Sequence, residues 1–331
     1  MGPDRFEALV VREENGAFVR RIETRRIDDL PEGDLLIKVR YAALNYKDAL
    51  SAAGHKGVTR RYPHTPGIEA GGVIVASRGD AFKVGEEVIV AGFDLGMNVS
   101  GAFAEYIRVP AGWALRPPAT MTLREGVICG VAGFTAALSL YKLESAGLEP
   151  GGGCVLVTGA TGGVGSLAIS ILARAGYEVA AVTGKADRGD YLRQLGAARI
   201  LGRAEADDAS GRALLQPQWA GVIDSVGGNI LATALKSTQY GGSVAACGLV
   251  QSADLHTTVY PFILRAVTLF GIDSVHCPED LRRLLWTRLA DAWRPATLEA
   301  IAVECRLDAL DEKIDLMLEG RLTGRTIVVL D

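Results

Sequence analysis

The feature that most constrains the fold is a glycine-rich stretch over residues 154–176, CVLVTGATGGVGSLAISILARAG. It opens with the apolar run Val-Leu-Val, which is typical of a strand buried on both faces of a parallel sheet. Four glycines follow within seven residues, and then apolar residues at helical spacing as far as Gly176. Gly176 predicts the end of that helix. A strand, a glycine turn and a helix in this order let the backbone approach a pyrophosphate at the positive end of the helix.

The turn fits the dinucleotide-binding pattern G-x-G-x-x-G, with Ala160 in the first glycine position, followed by Gly162 and Gly165. No Lys-Ser/Thr pair follows the last glycine, so the turn is not a P-loop. The alternative is an ordinary turn without a ligand, which we disfavour because four glycines are costly unless something must approach the backbone. The cofactor-binding residues predicted in this turn are Thr161, Gly162, Gly163, Val164 and Gly165.

Length and composition limit the remaining choices. The chain has 331 residues, about right for two domains of roughly 100–200 residues each. A net charge of −4 argues against a general surface for nucleic acid or for anionic membranes. The five cysteines are scattered and odd in number, which predicts reduced thiols in a cytoplasmic protein. The N-terminus shows no signal peptide, and we predict that neither nucleic acid nor a membrane is a partner.

One apolar stretch, residues 126–141, invites comparison with a membrane span. It is shorter than the ~20 residues that a span needs, and it contains three glycines. We therefore predict a buried helix there.

The two halves of the chain differ in pattern. Up to about residue 120 the sequence predicts a small β-rich domain, with strands that include 6–11, 35–39 and 101–110. From there strands and helices alternate, which predicts a doubly wound parallel sheet and an α/β fold. The predicted sheet strands are residues 155–158, 178–183, 199–201, 221–224, 243–247 and 268–272. The tail predicts a strand, a helix and a second strand. We expect this last strand to return to the β-rich domain.

Several segments resemble a known family. PGIEAGGVIV, GAFAEY, GATGGVG and DSVGG, in this order, resemble the medium-chain dehydrogenase/reductase superfamily over essentially the whole chain. LNYKDAL, RYPHTPGIE, VAACGLV and PFILR resemble the NADPH-dependent acryloyl-CoA reductase branch of its zinc-independent quinone oxidoreductase group. The resemblance implies a GroES-like catalytic domain over residues 1–123 and 295–331, and a Rossmann NADPH-binding domain over residues 124–294. It also implies a homodimer joined through the last Rossmann strands.

Metal binding is not expected. Zinc-dependent members of the superfamily carry Cys and His ligands in the first domain, whereas residues 1–128 contain no cysteine here. The PGIE segment has Glu69 but no histidine beside it, and His55 and His64 alone cannot complete a tetrahedral zinc site.

The end of the second strand of the parallel sheet predicts the choice of cofactor. NAD enzymes carry an acidic residue there, whereas this strand ends at Thr183, Gly184 and Lys185. A hydroxyl and an ammonium can bind the 2′-phosphate of NADPH; the alternative for Lys185 is a solvated loop charge. Arg203, after the third strand, is expected near the adenine, where it stacks on the base or reaches the phosphate, or is simply a surface arginine.

The hydride-transfer site is predicted in the first domain. Reduction of an enoyl thioester or enone requires hydrogen-bond donors for the developing enolate oxygen. The densest polar cluster falls at a strand-to-helix junction, and the catalytic residues predicted there are Asn45, Tyr46, Lys47 and Asp48. Tyr46 is also expected to contact the cofactor. The alternative is that Asn45 and Asp48 cap the helix while Lys47 is solvated.

Two further sets of residues complete the predicted site. By resemblance, the nicotinamide neighbours are Leu249, Ile263 and Ser274. Coenzyme A is anionic, and the only basic cluster between the polar cluster and the PGIE segment is Lys56, Arg60 and Arg61. It lies in a predicted loop, so Arg60 and Arg61 are predicted to bind the substrate; the alternative is a solvated basic loop.

The function predicted first is NADPH-dependent reduction of the carbon–carbon double bond of a short enoyl-CoA, acryloyl-CoA to propionyl-CoA, by hydride transfer without metal. One alternative is an NADPH-dependent quinone or enone reductase. Another is a non-catalytic NADPH-binding protein, including one that binds RNA.

Overall fold

The computed structural model describes residues 4–330, and the chain divides into two compact units. The first unit extends to Val131 and resumes at Ala302, and the second covers Ala132–Ile301. The predicted domain boundaries lie at 123/124 and 294/295.

The first unit is rich in β structure, as predicted. Its strands are β1 (Arg5–Glu14), β2 (Ala17–Arg26), β3 (Leu35–Leu44), β4 (Glu69–Ser77), β5 (Glu87–Ala91), β6 (Tyr106–Val109), β7 (Ala114–Leu115), β14 (Ala302–Arg306) and β15 (Arg325–Val329). β1 and β2 form a hairpin, while the others form one sheet in the order β14-β15-β3-β4-β5-β7, with β6 paired to β3. Its helices are α1 (Tyr46–Ala52) and α9 (Leu310–Leu318).

Two details of this unit differ from expectation. β2 lies within residues 5–40, which the sequence predicts as β structure, but no separate strand was assigned there because AFVRRIETRR carries little apolar signal and is half-buried or exposed throughout. Residues 101–110 were predicted as one strand, which is wrong for the first five residues. There the backbone instead pairs with the loop before β4: the N–H groups of Ala102 and Phe103 donate to the carbonyls of Gly67 (2.9 Å) and Pro66 (3.0 Å).

The second unit is built on a six-stranded parallel sheet. Its strands are β8 (Val155–Val157), β9 (Val179–Thr183), β10 (Arg199–Gly202), β11 (Trp219–Asp224), β12 (Thr238–Ala246) and β13 (Thr268–Gly271). Its helices are α3 (Gly163–Arg174), α4 (Gly189–Gln194), α5 (Gly228–Ser237), α6 (Tyr260–Arg265), α7 (Glu279–Ala290) and α8 (Leu298–Ile301). The strand order β10-β9-β8-β11-β12-β13 is the doubly wound order 3-2-1-4-5-6. The predicted Rossmann architecture is therefore confirmed.

The tail returns to the first unit, as predicted. β15 pairs in parallel with β14 and antiparallel with β3, where Thr326 faces Leu44 and Val329 faces Tyr41. The last strand thus lies beside the strand that leads into α1.

Helix α2 (Leu123–Ser145) contains the apolar stretch and crosses the boundary between the units along the chain. It has 23 residues, longer than predicted, so by length and composition it could span a membrane. However, 83% of its most apolar window is buried within the protein, as in the core helix of a soluble protein.

α2 is interrupted at Gly130, whose φ of 41° and ψ of −145° are not helical. An interruption frees backbone groups that need new partners. The Glu69 carboxylate accepts the N–H of Val131, and the Arg325 guanidinium donates to the carbonyl of Ile128 (3.1 Å). Side chains from β4 and β15 therefore satisfy the break in the helix.

Glu69 and Arg325 also bind each other. They form a buried ion pair, with side chains 1% and 2% exposed. Asn45 joins them: its amide donates to Glu69 Oε1 (2.7 Å) and its carbonyl oxygen accepts from Arg325 Nη1 (2.9 Å). This network connects the start of α1, β4, β15 and the break in α2.

We predict that Gly130→Ala destabilises the protein by roughly 3 kcal/mol, because a β carbon there would overlap the Glu69 carboxylate and the backbone would be strained. Urea unfolding measures the effect. Gly112→Ala is the matched control, since a β carbon at Gly112 meets nothing within 4 Å. Equal stability of the two variants would contradict this account of the break.

Candidate cofactor and active site

The glycine turn has the geometry that close packing of α3 on β8 requires. Gly159 has a φ of +59°, and a β carbon at Gly165 would overlap the Gly159 carbonyl. Gly162 is the N-terminal cap of α3. Because the first N–H groups of a helix have no partner within it, this end of α3 can bind an anion. The predicted residues 161–165 form this turn and the first residues of α3.

The tip of β9 lies against the same turn. The hydroxyls of Thr161 and Thr183 are 3.4 Å apart, and Thr183 Oγ1 accepts the N–H of Lys185 (3.0 Å). The Arg203 guanidinium lies beside Gly184, where a β carbon would be 3.2 Å from Arg203 Nη2. The structure therefore brings together five of the residues predicted to bind the cofactor, from three segments of the second unit.

The charges at this tip are predominantly positive. Burial lowers the pKa of Lys185, and the nearby Arg188 lowers it further, against a smaller effect of Asp187. Arg188 pairs with the exposed Asp187 at 3.3 Å. Arg188 was not among the predicted site residues, although its closeness to Lys185 in sequence was a usable signal. An anion placed here would relieve the repulsion between the two cations.

The three predicted nicotinamide neighbours lie later in the second unit. Leu249 is 55% exposed in the loop after β12. Ile263 is 67% exposed and lies on α6, which precedes β13. Ser274 follows β13, and its carbonyl accepts from Arg282 (2.9 Å). Their contact with a nicotinamide stays a prediction.

Asp48 connects the start of α1 to the PGIE segment. Its Oδ2 accepts the N–H of Asn45 (2.8 Å), and its Oδ1 accepts those of Gly67 (3.0 Å) and Ile68 (2.9 Å). Burial raises the pKa of Asp48 to about 7, although the three N–H donors act in the opposite direction. These contacts correspond to the capping alternative, in which Asp48 fixes the helix start.

The other three residues of the polar cluster divide into two kinds. Asn45 is engaged at both ends of its amide, with Ala43 as a further acceptor (3.2 Å). Tyr46 is half-buried and Lys47 is exposed. Within residues 4–330 the side chains of Tyr46 and Lys47 make no hydrogen bond or ion pair, so they can serve a ligand.

The three residues of the predicted basic cluster differ in their contacts. Lys56 forms an ion pair with Glu13 (2.8 Å) and lies over the rings of Phe18 (5.0 Å) and Tyr62 (4.8 Å). It is therefore held at the β1–β2 hairpin.

Arg60 and Arg61 are exposed and form no ion pair with the described residues 4–330. The loop that carries them is anchored by Thr59, whose hydroxyl lies 2.7 Å from Ser51 Oγ and donates to the Met97 carbonyl (2.9 Å). A fixed loop thus presents two cations to solvent.

The residues of the first unit do not fit a zinc site. Within residues 4–330, no three His, Cys, Asp or Glu side chains are grouped as metal ligands. Glu69 is committed to Arg325, Asn45 and Val131. His64 is buried with Nε2 2.9 Å from the Gly96 carbonyl, and burial lowers its pKa.

Known proteins that are similar to this chain have the same two-part fold. Residues 31–119 match the alcohol dehydrogenase GroES-like domain, and residues 163–291 match the zinc-binding dehydrogenase family. Acrylyl-CoA reductase AcuI of Ruegeria pomeroyi is 42% identical over 325 residues, 98% of each chain. YhfP of Bacillus subtilis, which bears a provisional quinone oxidoreductase name, is 43% identical over 326 residues, 98% of this chain and 99% of YhfP.

Two crystal structures superpose closely. The yhdH oxidoreductase of Salmonella enterica, in complex with NADP, has a TM-score of 0.95 and 41% identity over 98% of this chain and 100% of its own. YhfP with NAD bound has a TM-score of 0.95 and 42% identity over 99% of this chain and 100% of its own.

The chain therefore belongs to the medium-chain dehydrogenase/reductase superfamily, and it is an oxidoreductase with a GroES-like and a Rossmann part. Within that superfamily it is similar to AcuI and YhfP along almost its whole length. The family description names zinc, but the His, Cys, Asp and Glu side chains of residues 4–330 do not form a donor set that fits it.

We predict that the buried His64 makes the protein less stable at mildly acidic pH. Below the ordinary value of 6.5 the unfolded chain takes up a proton that the folded protein resists, so stability falls as the pH falls. The free energy of unfolding, measured between about pH 7.5 and about pH 5.5, should fall more for wild type than for His64→Gln. Each unit of difference between the pKa of His64 in the folded and in the unfolded protein contributes about 1.4 kcal/mol to the free energy of unfolding.

His276→Gln is the control, because His276 is exposed and pairs with Asp273 at the surface. The interpretation fails if His64→Gln and wild type lose stability in parallel as the pH falls.

Proposed function

We propose that this chain catalyses the NADPH-dependent reduction of the carbon–carbon double bond of a short enoyl-CoA, acryloyl-CoA to propionyl-CoA, without a metal. The observation that carries the proposal is the group formed by Thr161, Thr183, Lys185 and Arg203 beside the glycine turn. A second support is the similarity to AcuI, which is named an acrylyl-CoA reductase.

The second unit would hold the cofactor through two features. The N–H groups of the turn and of the first residues of α3 would bind the pyrophosphate. Thr183, Lys185 and Arg203 would bind the 2′-phosphate, and Arg188 would add positive charge. When bound, NADPH supplies the hydride. Of the two crystal structures described above, one contains NADP and the other NAD, so the cationic tip of β9 is our reason for choosing NADPH.

The first unit would supply the groups that act on the substrate. Tyr46 and Lys47 can donate hydrogen bonds to a carbonyl oxygen as it gains charge, because their side chains are not engaged elsewhere within residues 4–330. Tyr46 remains our candidate for a contact with the nicotinamide. Asn45 and Asp48 stay predictions as catalytic residues, and their contacts support a role in holding α1.

The competing function is reduction of a quinone or enone without a thioester, and YhfP is the relative that supports it. Steady-state rates with acryloyl-CoA, crotonyl-CoA, a small enone and a quinone decide between the two. We expect the highest kcat/KM with a short enoyl-CoA. Higher kcat/KM with the quinone would favour the alternative, and binding of NADPH without any turnover would favour a non-catalytic protein.

We further propose a cytoplasmic homodimer. β13 is an edge strand of the parallel sheet, and α6, which precedes β13 in the chain and packs on β12, exposes Ile263 (67%) and Leu264 (56%). An open sheet edge and exposed apolar side chains are each a candidate contact between two copies. Sedimentation velocity tests this, and a monomer at micromolar concentration would contradict it.

We predict that Lys185→Ala raises the KM for NADPH by about tenfold to a hundredfold, the scale of one charge-assisted phosphate contact. The KM for NADH, which lacks the 2′-phosphate, should change little. Lys142→Ala is the control, because Lys142 is also a half-buried lysine of the second unit. Equal losses with NADPH and NADH would show that Lys185 does not bind the 2′-phosphate.

We predict that Arg60→Ala combined with Arg61→Ala lowers kcat/KM for acryloyl-CoA by about tenfold or more, since phosphate contacts to coenzyme A are lost. Reduction of a small uncharged enone should be almost unchanged. Added salt should inhibit wild type more than the double variant on acryloyl-CoA, because exposed charge pairs are screened.

The control for this pair is Arg78→Ala combined with Lys83→Ala, which removes two exposed cations from the same unit. Equal loss on acryloyl-CoA and on the enone would mean that the loop of Arg60 and Arg61 is structural.

A further inference from the structure

The DSVGG segment at the end of β11 has no part in the function proposed above. Its first residue, Asp224, is completely buried, although a carboxylate in the interior is costly unless its oxygens are hydrogen-bonded. Oδ1 accepts the hydroxyl of Thr158 at 2.6 Å. Thr158 follows the last residue of β8 and precedes Gly159, where the glycine turn begins. One oxygen of Asp224 therefore reaches the base of that turn.

Ser225 fixes the same threonine from a second direction. Its N–H donates to Thr158 Oγ1 (3.2 Å), and its hydroxyl donates to the Thr158 carbonyl (3.1 Å). The Thr158 hydroxyl thus accepts from Ser225 and donates to Asp224. A β carbon on Gly159 would overlap Ser225 Oγ, so the turn lies directly on this residue.

The other oxygen of Asp224 holds a different segment. Oδ2 accepts the N–H groups of Gly227 (2.8 Å) and Val226 (3.3 Å) at the start of α5. The Val226 carbonyl in turn accepts the N–H of Gln251 (2.9 Å), in the loop that carries Leu249. The second oxygen therefore positions the segment that supports this loop.

We propose that Asp224 is a positioning residue for the nicotinamide cofactor, which aligns the pyrophosphate-binding turn and the loop of Leu249 from one buried carboxylate. The inference rests on the proposed function, because it needs a dinucleotide in the turn. Asp224 acts through Thr158 on one side and through Val226 and Gly227 on the other. Replacing Asp224 should therefore weaken binding of the pyrophosphate and leave binding of the 2′-phosphate at Lys185 unaffected.

The test measures dissociation constants by calorimetry for NADPH, NADH and 2′-AMP, which has a 2′-phosphate but no pyrophosphate. Thr158→Val removes the hydroxyl at nearly constant volume, and we expect it to weaken NADPH and NADH by the same factor, about tenfold. Binding of 2′-AMP should be unchanged. Thr158→Ser keeps the hydroxyl and should restore both dinucleotides to within about twofold of wild type.

Asp224→Asn should weaken binding of the two dinucleotides by the same factor. Adding Thr158→Val to it should cost little more, because both changes remove one shared interaction. If Asp224→Asn does not fold, the comparison of Thr158→Val with Thr158→Ser still decides the question.

Thr238→Val is the matched control. Thr238 is also a completely buried threonine of the second unit, its hydroxyl donates to the Ala234 carbonyl (2.8 Å), and it lies at the amino end of β12, away from the turn. We expect it to leave all three dissociation constants unchanged.

Three results would overturn the proposal: wild-type affinity of Thr158→Val for NADPH and NADH, an equal loss of 2′-AMP binding, or the same losses in Thr238→Val. A wild-type protein that binds neither dinucleotide would instead overturn the proposed function. The two failures are therefore distinguishable.

Discussion

The buried ion pair between Glu69 and Arg325 is the interaction on which the first unit depends. Two charges removed from water are stable only when they are paired and hydrogen-bonded, and removing one partner of such a pair costs about 3–5 kcal/mol. Here the pair also satisfies the backbone freed at Gly130 and both ends of the Asn45 amide. The position of α1, which carries Tyr46 and Lys47, is therefore coupled to β4 and β15.

This network uses the Glu69 carboxylate, which would otherwise be available to bind zinc. Glu69 accepts from an arginine, an amide and a backbone N–H, so its lone pairs are directed at protein donors. In the proposed reaction, activation of the substrate carbonyl would then fall to hydrogen-bond donors. This is consistent with a reaction in which the electrophile is a carbon–carbon double bond conjugated to a carbonyl.

The sequence predicted the second unit better than the first, for a physical reason. In the parallel sheet β8 and β9 are buried, almost wholly apolar runs, and the strand order places their ends side by side, so the sequence alone could group Thr161, Thr183 and Lys185. In the first unit the contacts that fix α1 join residues that are far apart in sequence. Asn45 and Arg325 are separated by 280 residues, and no local sequence pattern predicts that they pair. Lys56 shows the same limit, because its ion-pair partner Glu13 lies 43 residues away in sequence.

The position of β15 has a consequence for synthesis on the ribosome. Chains emerge from the N-terminus onward, and units tend to fold once all their residues are available. The second unit is one continuous segment, Ala132–Ile301, whereas the first needs β15 to pair with β3 and to deliver Arg325 to Glu69. During translation every residue of the second unit is therefore added before Arg325, and Glu69 lacks its counter-charge until the last residues are made. The first unit therefore begins to be synthesised first but is the last to have all of its residues.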